Sequence, residues 1–126
     1  KLLVMAHSPK TLTELGRLVA AAKGTPPAQL YQSYLTVLMQ GLEQLATVKK
    51  NTNVLQHIAG YFKKTLSADE RAELKEVIDH YHDGYVPLVV PIVLLQHYVR
   101  KYDEPYLKRQ YYLNPHPVEL MLRNHV

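Results

Sequence analysis

From Val86 to Leu95 the chain reads VPLVVPIVLL, every position apolar or proline. A run of this kind predicts an element buried on every side. Pro87 and Pro91 favour a helix opening here over a central strand. The first four helical N–H groups have no partner in any case, so proline forfeits nothing there, whereas a strand would lose ladder bonds. Beyond the run, Gln96, His97, Arg100 and Lys101 turn polar while Tyr98, Val99 and Tyr102 keep an apolar side. The pattern predicts a central helix over 86–102 that starts in the core and ends at a basic, aromatic surface. The apolar run is too short to cross a bilayer, which takes about 20 residues, so no membrane partner is expected.

The rest of the chain also reads as helix. Leu2 to Ala6 resembles the end of a helix whose start is missing, which points to a lost N-terminal segment. Ser8-Pro9 is a cap with proline at the first helical position and opens a helix to about Lys23, striped by Leu12, Leu15, Val19 and Ala22. Leu30, Tyr34, Leu38, Leu42 and Leu45 keep helical spacing through the next helix. Thr47 to Thr52 reads as a polar, basic connection. Over Asn53 to Lys64, Val54, Leu55, Ile58 and Phe62 form one face, and Asn53, Gln56, His57, Gly60, Lys63 and Lys64 the other. Ser67-Ala68-Asp69-Glu70 is a capping box for an acidic helix to about Asp83, closed by Gly84. Asp103-Glu104-Pro105 starts a short helix to about Tyr111. Asn114-Pro115-His116-Pro117 is a rigid turn, and a last helix runs from Val118 to Asn124. The expected fold is all-α: one domain over 1–126, a bundle of seven or eight helices around the central one.

Composition changes this picture in two places. The chain has no cysteine, which removes disulfides, thiolate metal sites and iron–sulfur ligation, and agrees with a cytoplasmic setting. Charge is uneven: six of the eleven acidic residues lie between Asp69 and Asp83 against Arg71 and Lys75, a local −4, leaving +8 on the rest of a chain whose net charge is +4. Ten tyrosines accompany that excess. Basic surface interleaved with tyrosine suits RNA, whose unstacked bases lie on aromatic rings while phosphates meet Lys and Arg. Tyrosines also sit half-buried in ordinary domains, so composition alone does not decide the matter.

Motifs for catalysis are missing: there is no nucleophile elbow, phosphate loop, dinucleotide glycine pattern or HExxH. His80 and His82 are two apart on a helix and point in different directions, so no metal site is expected. His7, His57, His97 and His116 lie in four segments, and their convergence would suit an enzyme using His57, His97 or His116 as general acid/base on a nucleotide-like substrate. A further alternative is a protein-interaction module docking through the acidic helix. The doublets Lys49-Lys50, Lys63-Lys64, Arg100-Lys101 and Lys108-Arg109 suit phosphate, although cations at helix C-termini are favoured by the dipole alone.

Four ordered motifs carry a resemblance: His7-Ser8-Pro9-Lys10 with Leu15-Gly16-Arg17-Leu18-Val19; Asn53-Val54-Leu55-Gln56-His57 with Gly60-Tyr61-Phe62-Lys63; Pro87-Leu88 with Pro91 and His97-Tyr98; and Tyr112-Leu113-Asn114-Pro115-His116-Pro117 with Glu119-Leu120 and Leu122-Arg123-Asn124. Together they resemble the YbgA family, a domain of unknown function found alone or fused behind a cysteine-rich, iron–sulfur desulfidase domain. The resemblance implies an accessory domain that holds RNA, tRNA in particular, during desulfidation of thiouracil or 4-thiouridine. It also implies a desulfidase partner in cis or trans that carries the cluster, since this chain has no cofactor of its own. Carried over position by position, the residues able to contact RNA are His7, Lys10, Arg17, Asn53, Gln56, His57, Lys63, His97, Tyr98, Asn114, His116 and Arg123. The charge pattern adds Lys64, Arg100 and Lys101. No catalytic or metal-binding residue is assigned. The expected site is a basic groove in which Asn53, Gln56, His57 and Lys63 meet His97, Tyr98 and Arg100, Tyr98 or Tyr61 stacks on bases, and carboxylates keep away.

Overall fold

Local signals set most helix boundaries in the computed structural model, which describes residues 1–44, 46–115 and Arg123. α1 (Leu2–His7) ends at Ser8, whose side chain accepts the Thr11 N–H and caps α2 (Pro9–Ala20), with proline in the first turn. Such a cap is worth about 1 kcal/mol. One 3-10 turn, Ala22–Gly24, leads to α3 (Pro27–Leu42). α4 (Val48–Gly60) is capped by Thr47, whose hydroxyl accepts the Lys50 N–H. Thr47 to Thr52, expected as a connection, is therefore the cap and first turns of α4. Its polar composition misleads because Asn51 and Thr52 are buried.

α5 (Ala68–His82) opens with the full capping box: Ser67 Oγ accepts the Glu70 N–H and Glu70 accepts the Ser67 N–H. It closes at Gly84, whose φ of 84° favours glycine. There Tyr85 N–H donates to the His80 carbonyl and Gly84 N–H to that of Tyr81, a Schellman pattern. α6 (Val89–Lys101), α7 (Pro105–Lys108) and a 3-10 turn at Tyr111–Leu113 follow. Among the described residues there is no strand, and the fold is all-α. Leu45, His116, Pro117 and, apart from Arg123, the expected helix at 118–124 lie outside the described residues.

The core joins α1, α4, α5, α6 and the residues after it. Leu2, Val54, Leu55, Ile58, Leu88, Ile92, Leu95 and Leu107 are completely buried. Each such side chain contributes about 1.5–3 kcal/mol relative to exposure. Tyr112 is buried with them, its hydroxyl donating 2.7 Å to Asn51 Oδ1. α6 begins near the expected place but is not buried on every side. Pro91, Ile92 and Leu95 face the core, while Val93 is 54% exposed. A continuous apolar run hides which side a helix turns outward, because it has no polar residue to mark that side.

Candidate nucleic-acid interface

α4 buries Val54, Leu55 and Ile58, so helical geometry turns Asn53, Gln56, His57 and Gly60 to solvent. Against this exposed side runs α5, and two hollows lie along the junction. The first, about 700 Å³, is lined by Pro9, Thr47, Lys49, Lys50, Thr52, Asn53, Gln56, Asp79 and His82. The second, about 410 Å³, continues from it through the shared Gln56 and Asp79 to Ala59, Gly60, Lys63, Leu66, Arg71, Leu74, Lys75 and Ile78. They form one groove with an apolar floor of Leu66, Leu74 and Ile78 and a basic rim. From Lys49 to Gly60 it follows α4 for about 16 Å at 1.5 Å per residue, and Lys63 continues it in the turn beyond.

Several rim groups are held in place. Lys50 Nζ donates to the His7 carbonyl at 2.8 Å, and Arg71 donates to the Lys63 carbonyl at 3.0 Å. Lys75 pairs with Asp79 at 2.9 Å, which raises the lysine pKa through that hydrogen bond and charge. Lys49 and Lys50 occupy the first turn of α4, where the helix dipole disfavours cations and the turn itself contains no acidic residue. The dipole thus explains the clustering of these two lysines in no degree.

Across Gly60, a shallower hollow of about 490 Å³ is lined by Lys1, Gln56, His57, Gly60 and Tyr61. Tyr61 stacks on Tyr106 with centroids 5.2 Å apart and meets the His57 ring edge-on at 5.8 Å. A Cβ placed on Gly60 would meet nothing within 4 Å. Nothing inside the fold therefore demands glycine at this point between the groove and the aromatic ledge.

The family model described as "Protein of unknown function (DUF1722)" matches residues 1–117. The chain belongs to the DUF1722 family. It is 32% identical over 125 residues to "Uncharacterized protein YbgA" of Escherichia coli (strain K12), an alignment covering 98% of this chain and 74% of that protein. No solved structure matches the chain.

Within this member of the family, the fold separates the expected contact residues. Asn53, Gln56 and Lys63 line the groove, His57 lies across Gly60, and Lys64 is exposed in the turn after α4. Lys10 and Arg17 are exposed on α2. His97 is exposed on α6, and Arg100 and Asn114 line a separate hollow of about 320 Å³ with Gln96 and Lys108. His116 lies outside the described residues.

Some expected roles are corrected. Tyr98 is buried, so it offers no ring face to a base. Its hydroxyl donates to Glu73 at 3.4 Å, and burial first, then the Glu73 charge, pushes its pKa up to about 12. Arg123 is also buried, donating to the Tyr112 carbonyl at 2.7 Å with its guanidinium 5.0 Å from that ring. Lys101 pairs with Glu70 at 3.0 Å. The His7 ring nitrogen Nδ1 bonds the Gln44 carbonyl at 2.7 Å, and Asn114 donates to the carbonyls of Lys108 and Gln110. Of these, Tyr98 and Arg123 are withdrawn from solvent, whereas Lys101 and Asn114 stay exposed with their side chains fixed by these bonds.

Carboxylates do not keep away from the basic residues either. Glu70 and Glu73 of α5 reach Lys101 and Tyr98 on α6 and Tyr102 at its C-terminal cap, and Asp79 lines the groove. Tertiary packing brings the acidic helix alongside both. Arg71 and Lys75 were hidden for the same reason: they sit on the acidic helix. Their spacing of four, continued by Asp79, was the available sign that one face of it is different.

Among the described residues no three His, Cys, Asp or Glu side chains gather as a metal site. His80 instead lies 4.0 Å from Glu76 and edge-on to Tyr85, and His82 is 3.2 Å from Asp83. No described helix is long and apolar enough to cross a membrane.

Proposed function

We propose that the groove between α4 and α5 binds RNA, and that structured RNA of the tRNA class is its ligand. The supporting observation is the lining of the groove: among the described residues Lys49, Lys50, Lys63, Arg71 and Lys75 stand against a single carboxylate, Asp79. Cations strung along a helix attract a phosphate backbone by releasing its counterions. Asn53 and Gln56 stand among them with amide donors and acceptors suited to 2′-hydroxyls and base edges, and Tyr61 with His57 offers a stacking ledge beside them. The chain would act as an accessory domain. The desulfidation of thiolated uridine implied by the YbgA-family resemblance would need thiolate ligands, and this chain has no cysteine, so the chemistry would reside in a partner domain, in cis or in trans.

Fluorescence anisotropy with total tRNA, with and without thiolated uridine, tests the proposal. Binding should weaken steeply between low and moderate salt, with a slope of roughly 0.7–0.9 per neutralised phosphate. A Lys49→Glu/Lys63→Glu variant should bind more weakly and with a shallower slope. Affinity indifferent to salt and to that double substitution would overturn the assignment.

A further inference from the structure

α3 carries an apolar ridge that no other described residue covers. Of the residues in this helix only Gly41 is buried. Gly41 lies so close to α2 that a Cβ there would fall on the Thr11 side chain, so α3 already spends its inner side on that contact. On its outer side Tyr31, Leu35 and Met39 are 69%, 41% and 53% exposed. Their spacing of four residues stacks them in one row. No charged residue occurs from Gly24 to Leu42, and the stretch is bounded by Lys23 and Glu43.

That charge pattern selects the occupant. RNA needs cations, and the ridge has none. A helix lying on an anionic membrane carries Lys and Arg on its polar side, which α3 lacks. A strongly acidic or basic protein would find no opposite charge to read. A second copy of this chain fits on two counts. Laid antiparallel, the positive end of each helix dipole meets the negative end of the other, and Lys23, in the 3-10 turn before α3, lies towards the end where Glu43 of its mate follows α3, about four residues out of direct register. A two-fold axis at Leu35 also sets Tyr31 against Met39, a favourable aromatic–sulfur contact, and Leu35 against itself.

We propose that α3 is a self-association face through which two copies pair antiparallel about Leu35. The helix is about 24 Å long, which favours a reversible, concentration-dependent dimer over an obligate one. The face is separate from the α4–α5 groove, so the proposal stands or falls independently of RNA binding.

Sedimentation velocity from low micromolar to near-millimolar protein should show mass rising towards the dimer. Leu35→Glu should return it to monomer with an unchanged circular-dichroism spectrum, because the position is exposed. Lys23→Glu should weaken the dimer, and adding Glu43→Lys should restore it. Because the chain has no cysteine, Leu35→Cys should give a disulfide-linked dimer on mild oxidation, whereas Glu76→Cys on α5 should not. A monomer at every concentration would overturn the proposal, as would a dimer that survives Leu35→Glu or one in which Leu35→Cys fails to cross-link.

Discussion

α3 and α4 are both amphipathic and similar in length, yet the fold uses them in opposite ways. α4 has the more polar sequence and buries Asn51, Thr52, Val54, Leu55 and Ile58. α3 is uncharged and rich in Leu and Tyr, and buries only Gly41. An amphipathic pattern states which side of a helix is apolar. It does not state whether another helix arrives to cover that side, which depends on chain topology. Here α4 meets α1 and α5, while α3 lies chiefly against α2.

The sharpest way to break the comparison is to remove the same side chain from each helix. Leu55→Ala on α4 should cost about 2–5 kcal/mol, because Leu55 is completely buried and its loss leaves a cavity. Leu35→Ala on α3 should fall within about 0.5 kcal/mol in urea unfolding of dilute protein. Equal costs would mean that α3 is covered after all. The next largest effect belongs to the one buried point of α3. Gly41→Ala forces a methyl onto Thr11 and should destabilise by about 1–3 kcal/mol. Gly41→Ala combined with Thr11→Ser should recover part of that loss, since the second change removes the opposing methyl.

Signals confined to neighbouring residues were legible in the sequence. Ser8-Pro9, the Ser67/Glu70 box and Gly84 stand where the sequence places them, because a cap or a left-handed glycine is specified within a few residues. The helical class and the exposed row Asn53, Gln56, Gly60 on α4 followed from periodicity. What the sequence did not show was cross-chain partnership. Asn51 is 1% exposed and reads as a loop residue until Tyr112, far along the chain, supplies its hydroxyl. Tyr98 and Arg123 read as contact residues until Glu73 and Tyr112 claim them. Arg71 and Lys75 sit on the acidic helix and reach the groove only because α5 packs along α4. Gly41 gave no sign without Thr11 opposite it.

A smaller effect tests why α4 keeps a glycine in its exposed row when space for a side chain is open. Gly60→Ala should stabilise the fold by about 0.4–1 kcal/mol, by restricting the unfolded chain and favouring helix. If RNA crosses the ridge between groove and ledge, the same substitution should weaken tRNA binding although the protein is more stable. Greater stability with unchanged binding would show that the glycine serves no ligand. The pair of measurements separates a binding effect from a folding effect, which move in opposite directions here.

The gentlest probe is pH, and it acts on the α4–α6 half alone. Glu70 accepts a hydrogen bond from the Tyr102 hydroxyl, the largest cause, together with the Ser67 N–H and the Lys101 ammonium, and these hold its pKa down to about 2 from an ordinary 4.5. A carboxylate whose folded pKa is depressed adds stability that is present above the unfolded value and lost as pH falls through the folded one. The tie between the start of α5 and the end of α6 should therefore be at full strength above about pH 4.5 and weaken progressively towards pH 2. Because Glu70 stands at the solvent edge, the change in stability should be small, and the carboxyl titration followed by NMR is the better measurement. Tyr102→Phe removes the leading hydrogen bond and should move the midpoint up towards the ordinary value. A midpoint that stays low in that variant would assign the shift to Ser67 and Lys101 instead.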